Sequence, residues 1–92
     1  MKRVEISTQA QSDIQYLRRW LAQRSPSASQ RATRSVVAAA KTLVDFPERG
    51  RLTQEGVREL LVPFGSAGYV LQYFIEDNRV VVARVFHSLE RR

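Results

Sequence analysis

The chain contains no cysteine, which excludes disulfides and thiolate metal sites and leaves it compatible with a reducing cytosol. It has one histidine and scattered carboxylates, so no sensible metal-ligand cluster can be assembled. No apolar run approaches the roughly 20 residues needed to span a bilayer, and the opening MKRVEIS lacks the apolar stretch of a signal peptide. A soluble cytoplasmic protein is expected, with no membrane association, no metal and no cofactor. Lysine is scarce as well. Only Lys2 and Lys41 stand against 13 arginines. High genomic GC content produces such a bias, and so does a demand for the planar guanidinium fork that fits carboxylate and phosphate.

What is present fits one small folded domain. Residues 1–92 have room for one modest core, and the apolar residues recur with clear periodicity, which argues against disorder. A domain of this size is marginally stable, so a permanent partner would add to its stability. The net charge of +6 implies an acidic partner, either protein or nucleic acid.

Lys2 to Ser7 alternates around Val4 and Ile6 and reads as a first strand. Ser7 or Thr8 is placed to cap a helix whose inward stripe is Ala10, Ile14, Leu17 and Leu21, with Asp13 favoured by the positive N-terminal end. Tyr16 and Trp20, four apart, form a flanking stripe. Ser25-Pro26-Ser27 ends that helix, and Ser27 with Gln30 suggests a capping-box variant for a second helix running to about Asp45. Its inward stripe is Ala28, Ala32, Val36, Ala39 or Ala40, and Leu43. The alanines let two helices approach closely as an antiparallel hairpin. Phe46-Pro47-Glu48-Arg49-Gly50-Arg51 then breaks the chain.

Three strands follow, near 57–63, 68–76 and 79–87. The expected fold is α+β: a single β-α-α-β-β-β domain with a helical hairpin packed on a small, mainly antiparallel sheet. In the central strand Tyr69, Leu71, Tyr73 and Ile75 share the core side, while Val70, Gln72, Phe74 and Glu76 share the other. In the last strand either Val81, Ala83, Val85 and His87 or Val80, Val82, Arg84 and Phe86 face the helices, and the sequence leaves that choice open.

The order of these features resembles the toxin half of bacterial toxin–antitoxin pairs, the RelE/ParE superfamily. The matching residues are Ala10-x-x-Asp13-Ile14, Leu43-x-x-Phe46-Pro47-x-x-Gly50-Arg51 and Val57-Arg58-Glu59-Leu60. Tyr69-x-Leu71-x-Tyr73 and Val80-x-Val82-x-x-Val85-x-His87 complete the set, with basic residues after it. Together they cover essentially the whole chain. The ParE branch is the closer match, for a chemical reason. Ribonucleases of this family attack a phosphate with the adjacent 2′-hydroxyl, which needs an acid, a base and cations at the developing charge. They commonly carry an arginine just after the position of Tyr69, where this chain has Val70. Several carry an aromatic hydroxyl just beyond the position of His87, where this chain has Ser88. The groove face is expected to offer Val70, Gln72, Ala83 and Val85, which are poor equipment for catalysis.

The resemblance therefore implies a non-enzymatic inhibitor of DNA gyrase, neutralised by a cognate antitoxin protein. Direct nucleic-acid binding is expected only through the antitoxin complex. The alternative is a RelE-like ribosome-dependent mRNA endoribonuclease using His87, Arg58 and Glu48, and a third class is a general nucleic-acid-binding domain favoured by charge alone. Expected target-binding residues are Arg49, Arg51, Arg58, His87, Arg91 and Arg92. Expected antitoxin-binding residues are Tyr16, Leu17 and Trp20. Several have a plainer reading beside them: His87 as a strand-end residue bonded to the tail, Arg58 as a structural ion pair with Glu59, Glu76 or another sheet carboxylate, Arg49 and Arg51 as solvated loop charge, and Tyr16 and Trp20 as partly core.

Overall fold

The structure is a computed structural model and describes residues 3–65 and 67–88. Its elements are β1 (Arg3–Ile6), α1 (Thr8–Ala22), α2 (Pro26–Thr42), β2 (Arg51–Gln54), β3 (Val57–Phe64), β4 (Ala67–Glu76) and β5 (Arg79–His87). The five strands form one sheet in the order β1-β5-β4-β3-β2. The α+β class is as expected, with one strand more than the sequence suggested. The sheet is mixed: β1 runs parallel to β5, and the remaining pairings are antiparallel. No helix among the described residues is long and apolar enough to cross a membrane.

Ser7 is the N-cap of α1. Its hydroxyl accepts from Ala10 N at 3.0 Å and donates to Ala83 O at 3.0 Å, so the cap also ties the helix start to β5. The cap of α2 is Ser25, not Ser27. Ser25 Oγ accepts from Ala28 N, and Pro26 fills the first helical position, where a missing N–H costs nothing. The capping-box reading fails because Ser27 already lies inside the helix. Helix α2 also stops at Thr42 rather than Asp45. Leu43, Val44 and Asp45 donate to carbonyls three residues back, a tightened last turn that leaves the α ladder while keeping Leu43 fully buried.

One face of each helix packs on the other and on the sheet. Ala10, Leu17, Ala32, Val36, Ala40 and Leu43 meet Leu71, Tyr73, Val80 and Val82 in one core. Ser29, absent from the expected stripe, is buried between the helices, where its hydroxyl donates to Arg18 O at 2.9 Å.

The strand missed in the sequence is β2. All four of its residues are exposed, so it carries no alternation to read. It is joined to β3 by Glu55 and Gly56, both at positive φ (45° and 80°), the pattern of a primed two-residue hairpin turn.

The last strand departs from strict alternation. Tyr73 pairs with Val82 and Gln72 with Arg84, so Ala83 is an extra, bulged residue. Val80 and Val82 before the bulge and Val85 after it all face the helices and are buried. Neither of the two expected sets is therefore correct. On the far side, Arg79 fastens the parallel edge, bonding Glu5 of β1 at 2.6 Å and also Glu76.

Candidate functional site

Arg58 lies on β3 opposite Tyr73 of β4, and the two side chains together hold the segment after α2. The Tyr73 hydroxyl accepts from Gly50 N at 2.8 Å and donates to Pro47 O at 2.8 Å. The Arg58 guanidinium donates to Gly50 O at 2.8 Å and to Glu48 O at 3.4 Å. A Cβ on Gly50 would meet the Tyr73 ring and hydroxyl at 2.7 Å, so only glycine allows this approach. The Pro47-x-x-Gly50 spacing thus has a geometric cause. Arg49 donates to Thr42 Oγ1 at 2.8 Å, and Phe46 projects outward with 66% of its surface exposed. Arg51 is not a loop residue. It sits on edge strand β2 and pairs with Glu59 at 3.3 Å, its own side chain 75% exposed.

His87 ends β5 opposite Tyr69, and the two rings meet edge to face at 5.6 Å. Burial pushes the Tyr69 phenol up from its ordinary pKa, so this hydroxyl stays neutral at any physiological pH. The residues named for ribonuclease chemistry do not converge. Arg58 is opposite Tyr73 and His87 opposite Tyr69, four residues apart on β4, or about 13 Å at the usual strand rise. Arg58 approaches Glu48 only through the latter's backbone carbonyl. Arg91 and Arg92 lie outside the described residues.

The sheet face turned away from the helices carries Val70, Gln72 and Phe74 of β4, with Glu59 and Leu61 of β3 beside them. Gln72 donates to Glu59 Oε2 at 2.9 Å, and Leu61 is exposed. Val85 does not join this face, contrary to expectation, because the bulge turns it into the core. Arg84 takes the place opposite Gln72, and its guanidinium reaches Asp13 of α1, with Nε 2.9 Å from Oδ2. The same Asp13 oxygen accepts Val85 N at 2.9 Å. Burial opposes ionisation of Asp13, but the bonds from Arg84, Val85 N and Gln9 outweigh it and hold the carboxyl below its usual pKa. Asp13 lies beyond the first turn of α1, so the bulge, not the helix end, is what it serves.

The expected antitoxin-binding trio separates. Leu17 belongs to the core, only 9% exposed, while Tyr16 and Trp20 are exposed at 56% and 41%. The Arg24 guanidinium lies over the Trp20 ring, 3.8 Å from its centroid. A recess of about 160 Å³ opens between α2 and β1, lined by Val4, Ile6, Val37 and Lys41 among others.

The family model described as the ParE toxin of the type II toxin–antitoxin system parDE matches residues 4–92. The chain is 47% identical over 92 residues to Toxin RelE3 of Caulobacter vibrioides, covering 100% of both chains. It is 37% identical over 89 residues to Toxin RelE1 of the same organism, covering 97% of this chain and 96% of that one. A solved structure, the chromosomal ParDE toxin–antitoxin system from P. aeruginosa, has the same fold. Its TM-score is 0.76 at 18% identity, and the likeness covers 95% of this chain and 96% of that one. The chain therefore belongs to the ParE/RelE family, the toxins of type II toxin–antitoxin systems.

Proposed function

We infer that this toxin acts as a ParE-like inhibitor of DNA gyrase in the cytoplasm, by protein binding rather than by cutting RNA, and that a cognate antitoxin neutralises it. The observation that carries the reading is the occupancy of the open sheet face and its surroundings. Phosphodiester cleavage needs an acid, a base and cations focused on one phosphate. Among the described residues, Val70 stands where a cation is wanted and Arg58 is turned to the carbonyls of the 48–50 segment. His87 packs on Tyr69, about 13 Å along the sheet from Arg58. Exposed Arg49 and Arg51 remain as contacts for the target.

A second reading, ribosome-dependent mRNA cleavage, is favoured by one finding: the relatives bear the name RelE. Two assays on the purified protein decide between them. Inhibition of supercoiling by gyrase, with messenger RNA left intact on translating ribosomes, is the expected result. Cleavage at the ribosomal decoding site that disappears in His87→Gln would instead establish the nuclease. For the antitoxin, the ParDE neighbour and the +6 charge support an acidic protein partner, and the exposed stripe of Tyr16 and Trp20 is its proposed seat.

A further inference from the structure

Phe46 is more exposed than Tyr16, Trp20, Val37, Leu52 or Leu61, and the fold holds it there. Its own N–H donates to Thr42 O at 2.9 Å, and its carbonyl accepts from Arg49 N at 3.1 Å. Immediately after it, Pro47 O and Gly50 N are both fixed by the buried Tyr73 hydroxyl, and Arg58 takes the carbonyls of Glu48 and Gly50. The backbone is tied on both sides of Phe46, so its side chain leaves the chain toward solvent. That ordered backbone has little freedom left to lose on binding, and only the two side-chain torsions must be fixed, which suits an aromatic anchor.

We propose that Phe46 is the anchor with which this toxin grips a folded protein target, inserted into an apolar pocket whose rim carries both signs of charge. The proposal rests on the reading that the target is a protein. Charge selects the occupant. Asp45 and Glu48 share the surface with Phe46 and Arg49, and all four are exposed. Two carboxylates beside the ring disfavour a phosphate backbone and an acidic antitoxin arm alike. A pocket rimmed by mixed charge accepts the two carboxylates and Arg49 together.

The test compares the parent with Phe46→Ala and Phe46→Tyr. Growth arrest is read at matched expression. Supercoiling inhibition is read on the gyrase holoenzyme, with antitoxin binding and thermal unfolding measured alongside. Because the ring is exposed, Phe46→Ala should melt with the parent and bind the antitoxin as tightly. It should need at least about tenfold more protein to arrest growth and to inhibit gyrase, while Phe46→Tyr retains most of the potency. Equal potency of Phe46→Ala and parent overturns the proposal. Loss of antitoxin binding in step with toxicity also overturns it, moving the ring to the antitoxin interface. If the parent cuts ribosome-bound mRNA and Phe46→Ala does not, the ring stacks on RNA and the protein-target proposal fails. If the parent spares both gyrase and mRNA yet the growth difference persists, the gyrase reading alone fails and the anchor stands on another protein.

Discussion

The Tyr73 hydroxyl serves two backbone groups of the same short loop, as acceptor for Gly50 N and as donor to Pro47 O. Replacing Tyr73 by phenylalanine keeps the packed ring and removes only the oxygen. The Gly50 N–H, buried against β4, then has lost its partner, which should cost about 1–3 kcal/mol in chemical unfolding. The same substitution should loosen the segment bearing Phe46 and reduce toxicity with little effect on antitoxin binding. A Tyr73→Phe protein as stable as the parent would show that the loop is fastened by other bonds. Gly50→Ala attacks the same contact from the other side. The new methyl meets the Tyr73 ring and hydroxyl at 2.7 Å and the Glu59 carbonyl at 3.0 Å, so a rigid, buried group must move. Overpacking of this kind destabilises by about 1–3 kcal/mol.

At the scale of elements, the bulge in β5 joins sheet to helix. Asp13 of α1 takes both the Val85 amide and the Arg84 guanidinium, and Ser7 takes the Ala83 carbonyl. Asp13→Asn should therefore cost about 1.5–3 kcal/mol at neutral pH, the range of hydrogen bonds to a charged group. The pH dependence has a definite sign. Asp13 has a lowered folded pKa, so its contribution is full above the unfolded aspartate value of about 3.9 and fades as pH falls through the folded value. Glu5 is lowered too, through Arg3 and Arg79, but it is common to both proteins and cancels in their difference. The stability gap between parent and Asp13→Asn should thus hold from neutral pH down to about 4 and close below it. A gap independent of pH would mean that Asp13 does not work through its charge.

Much of this architecture is legible in the chain. The α1 stripe through Ala10 and Leu17, the Ser7 cap, and the core side of β4 follow from period and capping chemistry. What escapes is long-range. Strand β2 is exposed along its length and exists only because β3 pairs with it. The bulge at Ala83 breaks the period of two with no local mark, so strict alternation puts Val85 on the open face when it lies in the core. The Tyr73–Arg58 clamp links residues 47–50 to two different strands, a contact fixed by register and invisible to spacing. Leu17 stands next to Tyr16 in the chain, yet one helical step of 100° turns it into the core and leaves Tyr16 outside.

The whole molecule presents two separate aromatic features. Trp20 lies near the α1–α2 connection, while Phe46 lies past the opposite end of α2, a helix of 17 residues and thus about 25 Å long. If the first belongs to the antitoxin and the second to the target, the two functions can be separated by mutation. Trp20→Ala should leave the fold intact, since the indole is half-exposed, lies outside the core and carries the Arg24 guanidinium over its ring, whereas Leu17→Ala next to Tyr16 should lose about 2–5 kcal/mol of stability by opening the core. Trp20→Ala should weaken the antitoxin complex by about 2 kcal/mol or more and leave gyrase inhibition unchanged. In cells the sign is distinctive: this substitution should make the toxin harder to neutralise, so cells co-expressing the antitoxin grow worse than with the parent. Association rates should fall with added salt for both proteins alike, because the +6 charge that steers an acidic partner is untouched. Trp20→Ala that unfolds the free toxin, or that binds antitoxin as tightly as the parent, would remove α1 from the antitoxin interface and turn attention to the recess between α2 and β1.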